Sequence, residues 1–100
     1  MTDTITDGIT AARDLLVHHG WGQGQFKDRT TGCYCLIGAL SVAVPKAEPF
    51  RQAWLRVWES MTDEDQVEYD TLAVWNDVEG RTKEQVIALL DRAIANGDNA

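Results

Sequence analysis

The chain has 100 residues, a length that suits one domain with a single modest core. Nine Lys and Arg against sixteen Asp and Glu give a net charge of −7, which repels phosphate backbones and anionic lipids. This composition argues against nucleic acid and membrane as partners, and a basic protein is the partner that the charge would attract. The longest apolar run, about a dozen residues, is too short to cross a bilayer. We therefore expect one cytoplasmic domain over residues 1–100.

The first predicted element is an amphipathic helix. Apolar side chains recur at helical spacing from Ile5 to Leu16, and Gly20 stands where a C-cap glycine belongs, so the helix should end near His19. Residues 22–32 carry three glycines and no helical stripe, which predicts a loop, with a small β-hairpin at about 22–34 as an open alternative. One of three polar residues is expected to cap the start of the helix: Thr4, Thr6 or Asp7.

The segment from Cys33 to Val44 is the longest stretch without a charge. Such a segment can be a buried strand or a buried helix, and its length and small residues favour a helix. We expect the other elements to pack around it. Cys33 and Cys35 are too close in sequence for an ordinary disulfide, so no disulfide framework is expected.

Three further helices are predicted after Pro45. Residues 49–61 have a regular apolar stripe, residues 63–75 follow a capping signal, and residues 82–97 open on a capping box formed by Thr82 and Gln85. The predicted fold class is therefore all-α, a compact bundle of four to five helices around the central apolar helix.

Three short motifs carry a resemblance to a known family. They are Gly20-Trp-Gly-Gln-Gly24, Cys35-Leu-Ile-Gly-Ala-Leu40, and Trp75-Asn-Asp77 followed by Gly80-Arg-Thr82. In this order they resemble a domain-of-unknown-function family of small actinobacterial and actinobacteriophage proteins, over roughly residues 5 to 95. The resemblance implies a phage or actinobacterial origin and a compact fold in which the motifs meet. A cysteine often follows the first tryptophan in that family, whereas Gly22 stands here.

A thiol nucleophile is one chemical hypothesis. Cys33 or Cys35 near a helix start could be a stabilised thiolate, with His18 or His19 as base and Gln23 or Gln25 at an oxyanion. Both histidines precede the cysteines, unlike the order in papain-like enzymes, and small buried cysteines are the alternative favoured. A small cysteine-dependent hydrolase is thus kept only as a second alternative, and we assign no catalytic residue.

Metal and carboxylate sites are two more hypotheses. His18, His19, Cys33 and Cys35 are zinc-type donors, but adjacent histidines diverge on a helix, so no metal and no cofactor is expected. An acidic cluster is best explained as a solvated helix face, and second as a docking surface for a basic partner. Its members are Asp63, Glu64, Asp65, Glu68 and Asp70.

A group of tryptophan, amide and carboxylate side chains is the candidate ligand site. Flat apolar walls with a few directional polar groups suit a small-molecule pocket. The favoured alternative is structural, with Asn76 and Asp77 bonding turn amides or Arg81 while the tryptophans fill the core. The candidate residues are Trp21, Gln23, Trp75, Asn76 and Asp77.

The expected function is that of a small non-enzymatic protein that binds a host protein or self-associates. It rests on small size, an acidic surface, an incomplete catalytic set and the resemblance to the family of small actinobacterial and phage proteins. The first alternative is a small-molecule or nucleotide-derivative binder that uses the candidate ligand site.

Overall fold

The computed structural model describes residues 3–98, and that range forms six helices. Residues 22–34 hold no strand, only isolated bridges from Trp21 and from Lys27 to Tyr34, so the alternative of a hairpin there is not realised. The all-α prediction is confirmed. The helices are α1 (Thr4–His19), α2 (Leu36–Ala43), α3 (Ala47–Glu59), α4 (Asp63–Glu68), α5 (Leu72–Asp77) and α6 (Lys83–Asp98).

Helix α1 ends as predicted but starts differently. Asp3 is its N-cap, and its carboxylate accepts a hydrogen bond from the Thr6 amide at 2.6 Å. The same carboxylate pairs with Arg56 of α3 at 3.1 Å, which fixes the start of α1 against α3. At the other end Gly20 has a φ of +93° and donates its amide to Leu16. This conformation turns the chain into the loop that follows.

Helix α2 is shorter than the apolar run that predicted it. Residues 33–35 approach it in extended form, and Cys35 is its N-cap, with Sγ accepting the Gly38 amide at 3.3 Å. Gly38 is buried directly against the backbone carbonyl of Phe26, so a side chain there would overlap the loop. Helix α2 packs on α1, α3 and α5, whereas α1 packs on α2, α3 and α6. The centre of the bundle is therefore shared by α1 and α2.

The predicted helix over residues 63–75 is two helices in the structure. Tyr69 leaves the helical conformation, and Thr71 then caps α5 by accepting the Val74 amide at 3.1 Å. This break explains why six helices replace the predicted four to five. It also lets α5 lie against α2 instead of continuing α4.

The last helix starts at the predicted capping box. The Thr82 and Gln85 side chains bond each other's backbone amides at 3.2 and 2.9 Å. Its apolar stripe, including Val86, Leu89 and Leu90, is fully buried against α1 and α3. None of the helices in residues 3–98 has the length and apolar character needed to cross a membrane.

Candidate functional site

The three sequence motifs meet at one end of α2. The loop after α1, the first turn of α2 and the end of α5 are joined there by side-chain hydrogen bonds that span 40 to 55 residues of sequence. Four of the five candidate residues take part: Trp21, Gln23, Asn76 and Asp77.

Asn76 is the centre of this network and is only 1% exposed. Its Oδ1 accepts from Trp21 Nε1 at 2.6 Å and from the Leu36 amide at 3.1 Å. Its Nδ2 donates to the Gly22 carbonyl at 3.3 Å and to Asp77 Oδ1 at 2.9 Å. An asparagine side chain accepts two and donates two hydrogen bonds, so the capacity of Asn76 is fully used within the protein.

Gln23 and Asp77 complete the connection between loop and helix. Gln23 Nε2 donates to the Asn76 and Val78 carbonyls at 3.0 and 2.9 Å, which satisfies acceptors left open where α5 ends. Asp77 Oδ1 also accepts the Gly24 amide at 3.0 Å. Both internal bonds of Asp77 fall on Oδ1, and no described residue donates to its Oδ2.

The side chain of Trp75 takes no part in the hydrogen bonds that join the other candidates. Its ring is 3% exposed and belongs to the core, and the Arg81 guanidinium covers it at 4.0 Å from the ring centroid. Arg81 also donates Nε to the Trp75 carbonyl at 2.9 Å. The indole Nε1 is buried without a hydrogen-bond partner among the residues described. Trp75 thus contributes its ring to the core, whereas Trp21 contributes its indole N–H to the network.

An open cavity of about 300 Å³ lies beside the network. Its wall includes Phe26, whose side chain is 66% exposed, and Asp77. Sequence reasoning missed this aromatic residue; the signal was a single large apolar side chain within a polar, glycine-rich loop. The full lining is Gly24, Gln25, Phe26, Cys35, Ala73 and Asp77.

Cys35 lacks the activated thiolate that the nucleophile hypothesis needs. Burial raises the pKa of the Cys35 thiol above its ordinary value, and the nearby Asp77 carboxylate adds to the rise, so the protonated form is favoured. Its sulfur already accepts the Gly38 amide. His18 and His19 are both exposed, and the His19 ring meets the edge of Tyr34 at 5.9 Å between centroids.

The metal and carboxylate hypotheses concern other parts of the surface. Within residues 3–98 no group of three or more His, Cys, Asp or Glu side chains is placed to hold a metal ion. The acidic cluster lies on and after the short helix α4, where Thr62 accepts the Asp65 amide as the expected cap. Val67 projects from the same helix and is 87% exposed.

Fold and site define a small helical domain in which a buried amide network fixes a loop beside an open, partly apolar cavity. The chain belongs to DUF6197, a family of unknown function, whose match covers residues 1–96. This agrees with the resemblance to a family of unknown function that the motifs carried. No curated protein and no solved structure matches the chain.

Proposed function

We propose that the protein is a non-enzymatic binding domain that docks a basic segment of a partner protein. The docking surface consists of Phe26, the half-buried Ala73 of α5 and Asp77, which line the cavity, together with the exposed Val74 that follows Ala73 in sequence. The observation that carries the proposal is the 66% exposure of Phe26 at an open cavity that Ala73 also lines. Val74, the residue after Ala73 in α5, is 49% exposed. Exposed apolar side chains that are clustered with polar neighbours are typical of interaction sites.

The charge around α4 and α5 supports a basic partner. Residues 57–80 contain no Lys, Arg or His, and they hold eight of the sixteen carboxylates of the chain. Arg81 packs over Tyr69 and Trp75, so the region carries an excess of negative charge with a basic side chain packed against it. A surface with an excess of one sign attracts a partner of the opposite sign and disfavours a second copy of itself. A basic partner is therefore favoured over self-association. The eight residues are Glu59, Asp63, Glu64, Asp65, Glu68, Asp70, Asp77 and Glu79.

The candidate ligand site has two parts in this proposal. Trp21, Gln23 and Asn76 hold the loop that presents Phe26, because their polar groups bond within the protein. Asp77 is the member that faces the ligand. The small-molecule alternative has less support, since the polar groups of Trp21 and Asn76 are already paired with each other.

Origin and location belong to the same proposal. The motifs suggest a protein of an actinobacterium or of one of its phages, and a host protein is then the partner. We place this binding in the cytoplasm, because a reducing compartment keeps cysteines such as Cys33 and Cys35 as free thiols. The acidic composition fits the same location.

A random peptide library selected on the purified protein tests the proposal. We expect enrichment of peptides that combine apolar and basic residues, with binding that weakens as salt increases. Phe26→Ala and Val74→Ser should lose this binding. Val17→Ser is the matched control, since Val17 is 42% exposed on α1 and does not line the cavity.

Two results would contradict the proposal. One is that no peptide is enriched, and the other is that all three variants bind the selected peptides equally well. Sedimentation equilibrium separates the self-association alternative, because a stable dimer that Phe26→Ala dissolves would replace the basic partner with a second copy of the chain.

A further inference from the structure

We infer that the cavity beside Asp77 receives one arginine side chain of the partner. The inference rests on the proposed docking function and specifies which residue of the basic segment enters the protein. It is carried by three features that meet at the cavity: an unused carboxylate oxygen, an exposed aromatic ring and a volume of about 300 Å³.

The carboxylate supplies the charge. Asp77 Oδ1 is held by the Gly24 amide and by Asn76 Nδ2, at 3.0 and 2.9 Å, so the group is fixed in orientation before a ligand arrives. Its Oδ2 has no donor from the described residues, and Asp77 lines the cavity. A fixed acceptor of this kind needs no reordering to accept an N–H from a cation, which lowers the entropic cost of binding.

The ring favours arginine over lysine. A guanidinium is planar and stacks on aromatic faces, whereas an ammonium is a compact, strongly hydrated charge. Phe26 offers an exposed ring, and Ala73 is a small side chain along which an aliphatic stem can lie. A cavity of about 300 Å³ is at the lower limit for ligand sites, a size suited to one side chain.

The surroundings add to this selectivity. The lining residues include no basic side chain, and Cys35 contributes a buried thiol whose pKa is raised by burial. The charged groups that flank α5 in sequence are Asp70, Glu79 and Arg81, and Arg81 packs over the Trp75 ring and is not part of the cavity lining. Among the lining residues the cation therefore meets a carboxylate and no positive charge.

The test uses N-acetyl-arginine methylamide and its neutral isostere N-acetyl-citrulline methylamide as probes. Each is titrated into ¹⁵N-labelled protein while the Gly24 amide signal is followed, because that amide bonds to the carboxylate in question. We expect a saturable shift with the arginine probe and about tenfold weaker binding of the citrulline probe. Lysine in the same frame should bind more weakly than arginine.

Asp77→Asn is the decisive variant. Its side-chain oxygen can still accept from Gly24 and Asn76, so the network is kept while the charge and the free acceptor are lost. We expect about tenfold weaker arginine binding in this variant and in Phe26→Ala. Glu48→Gln, which removes one exposed charge of α3 outside both the cavity lining and residues 57–80, should bind as the wild type does.

Equal binding of arginine and citrulline, or full arginine binding by Asp77→Asn with its native spectrum preserved, would overturn the inference. The proposed function fails separately. If the arginine probe binds but no library peptide depends on Phe26, the arginine site stands and a small cationic molecule replaces the protein partner. If selected peptides depend on Phe26 but not on Asp77, docking stands and the arginine anchor is wrong.

Discussion

Asn76→Ala distinguishes a scaffold from a ligand-contacting residue at the centre of the motifs. The substitution removes the acceptor of the buried Leu36 amide and of the Trp21 indole, and the donor to Gly22. Each buried polar group that loses its partner costs about 1–3 kcal/mol. Since the Leu36 amide is buried and the Trp21 indole is half-buried, we expect a total loss of about 3–5 kcal/mol in the free energy of unfolding.

This loss is a large share of the stability of such a chain. A domain of this size has about 5–15 kcal/mol in all, so the variant should be marginal at room temperature. Urea denaturation followed by tryptophan fluorescence measures the change as a shift in midpoint at constant slope. Trp21→Phe keeps the ring and removes one donor, and combined with Asn76→Ala it should cost about 1 kcal/mol less than the sum of the single changes.

Asn96→Ala is the matched control for this measurement. Asn96 is exposed on α6 and makes one side-chain hydrogen bond, to Ser60 at 2.9 Å, so we expect a loss below about 1 kcal/mol. The reasoning would be refuted if Asn76→Ala lost no more stability than this control. Loss of peptide binding at unchanged stability would show instead that Asn76 contacts the ligand.

Three other predictions follow from contacts outside this network. Gly38→Ala forces a methyl group into the Phe26 carbonyl, which is backbone and cannot move alone, so we expect a loss of about 2–3 kcal/mol in urea denaturation. Asp3 has its pKa lowered from 3.8 to about 2 by Arg56; its stabilisation is therefore present above pH 4 and is lost as pH falls through 2, and the stability difference from Asp3→Asn should vanish over that range. The Cys35 thiol should react with iodoacetamide in the folded protein more slowly than the other cysteine does, as tandem mass spectrometry can measure.

Each of these predictions has a contrary outcome. Ser41→Ala, on the exposed side of the same helix, is the control for Gly38→Ala, and equal effects would argue against a close approach of the loop. A constant difference between the wild type and Asp3→Asn from pH 5 to about pH 2 would contradict the linkage to its carboxyl group. Fast alkylation of Cys35 would mean that its burial is not maintained in solution.

Most of the helices could be predicted from the sequence because the residues that define each helix lie within it or at its ends. The capping box at Thr82 and the stripe in residues 49–61 act within one or two turns, so the sequence carries them directly. The break after Tyr69 was missed, since Thr71 was counted as an interior residue of a longer helix. Its capping role depends on α5 packing against α2, a tertiary contact that periodicity does not contain.

The candidate site shows the same division between local and distant effects. The residue types of Trp21 and Asn76 indicated that both side chains take part in a site. They did not indicate that the two bond to each other, because that hydrogen bond joins positions 55 residues apart. Trp75 was a candidate for the same reason as Trp21, as a tryptophan near amide and carboxylate side chains. Its ring nevertheless lies in the core, where Arg81 covers it. Phe26 was passed over because an isolated loop phenylalanine carries no periodic pattern, and only the structure places it at a cavity.

The long sequence spans bridged by Asn76 have a consequence for the rates of folding and unfolding. The bonds of Asn76, Gln23 and Asp77 connect residues 21–24, 36 and 76–78, so they can form only after the intervening chain has closed into loops of 40 to 55 residues. The entropy of closing these loops is lost before such contacts contribute, which slows folding, whereas contacts that form after the transition state slow unfolding without speeding folding. We therefore expect the folding and unfolding rates of Asn76→Ala to show at which stage the three motifs come together: faster unfolding at an unchanged folding rate would place the network after the transition state.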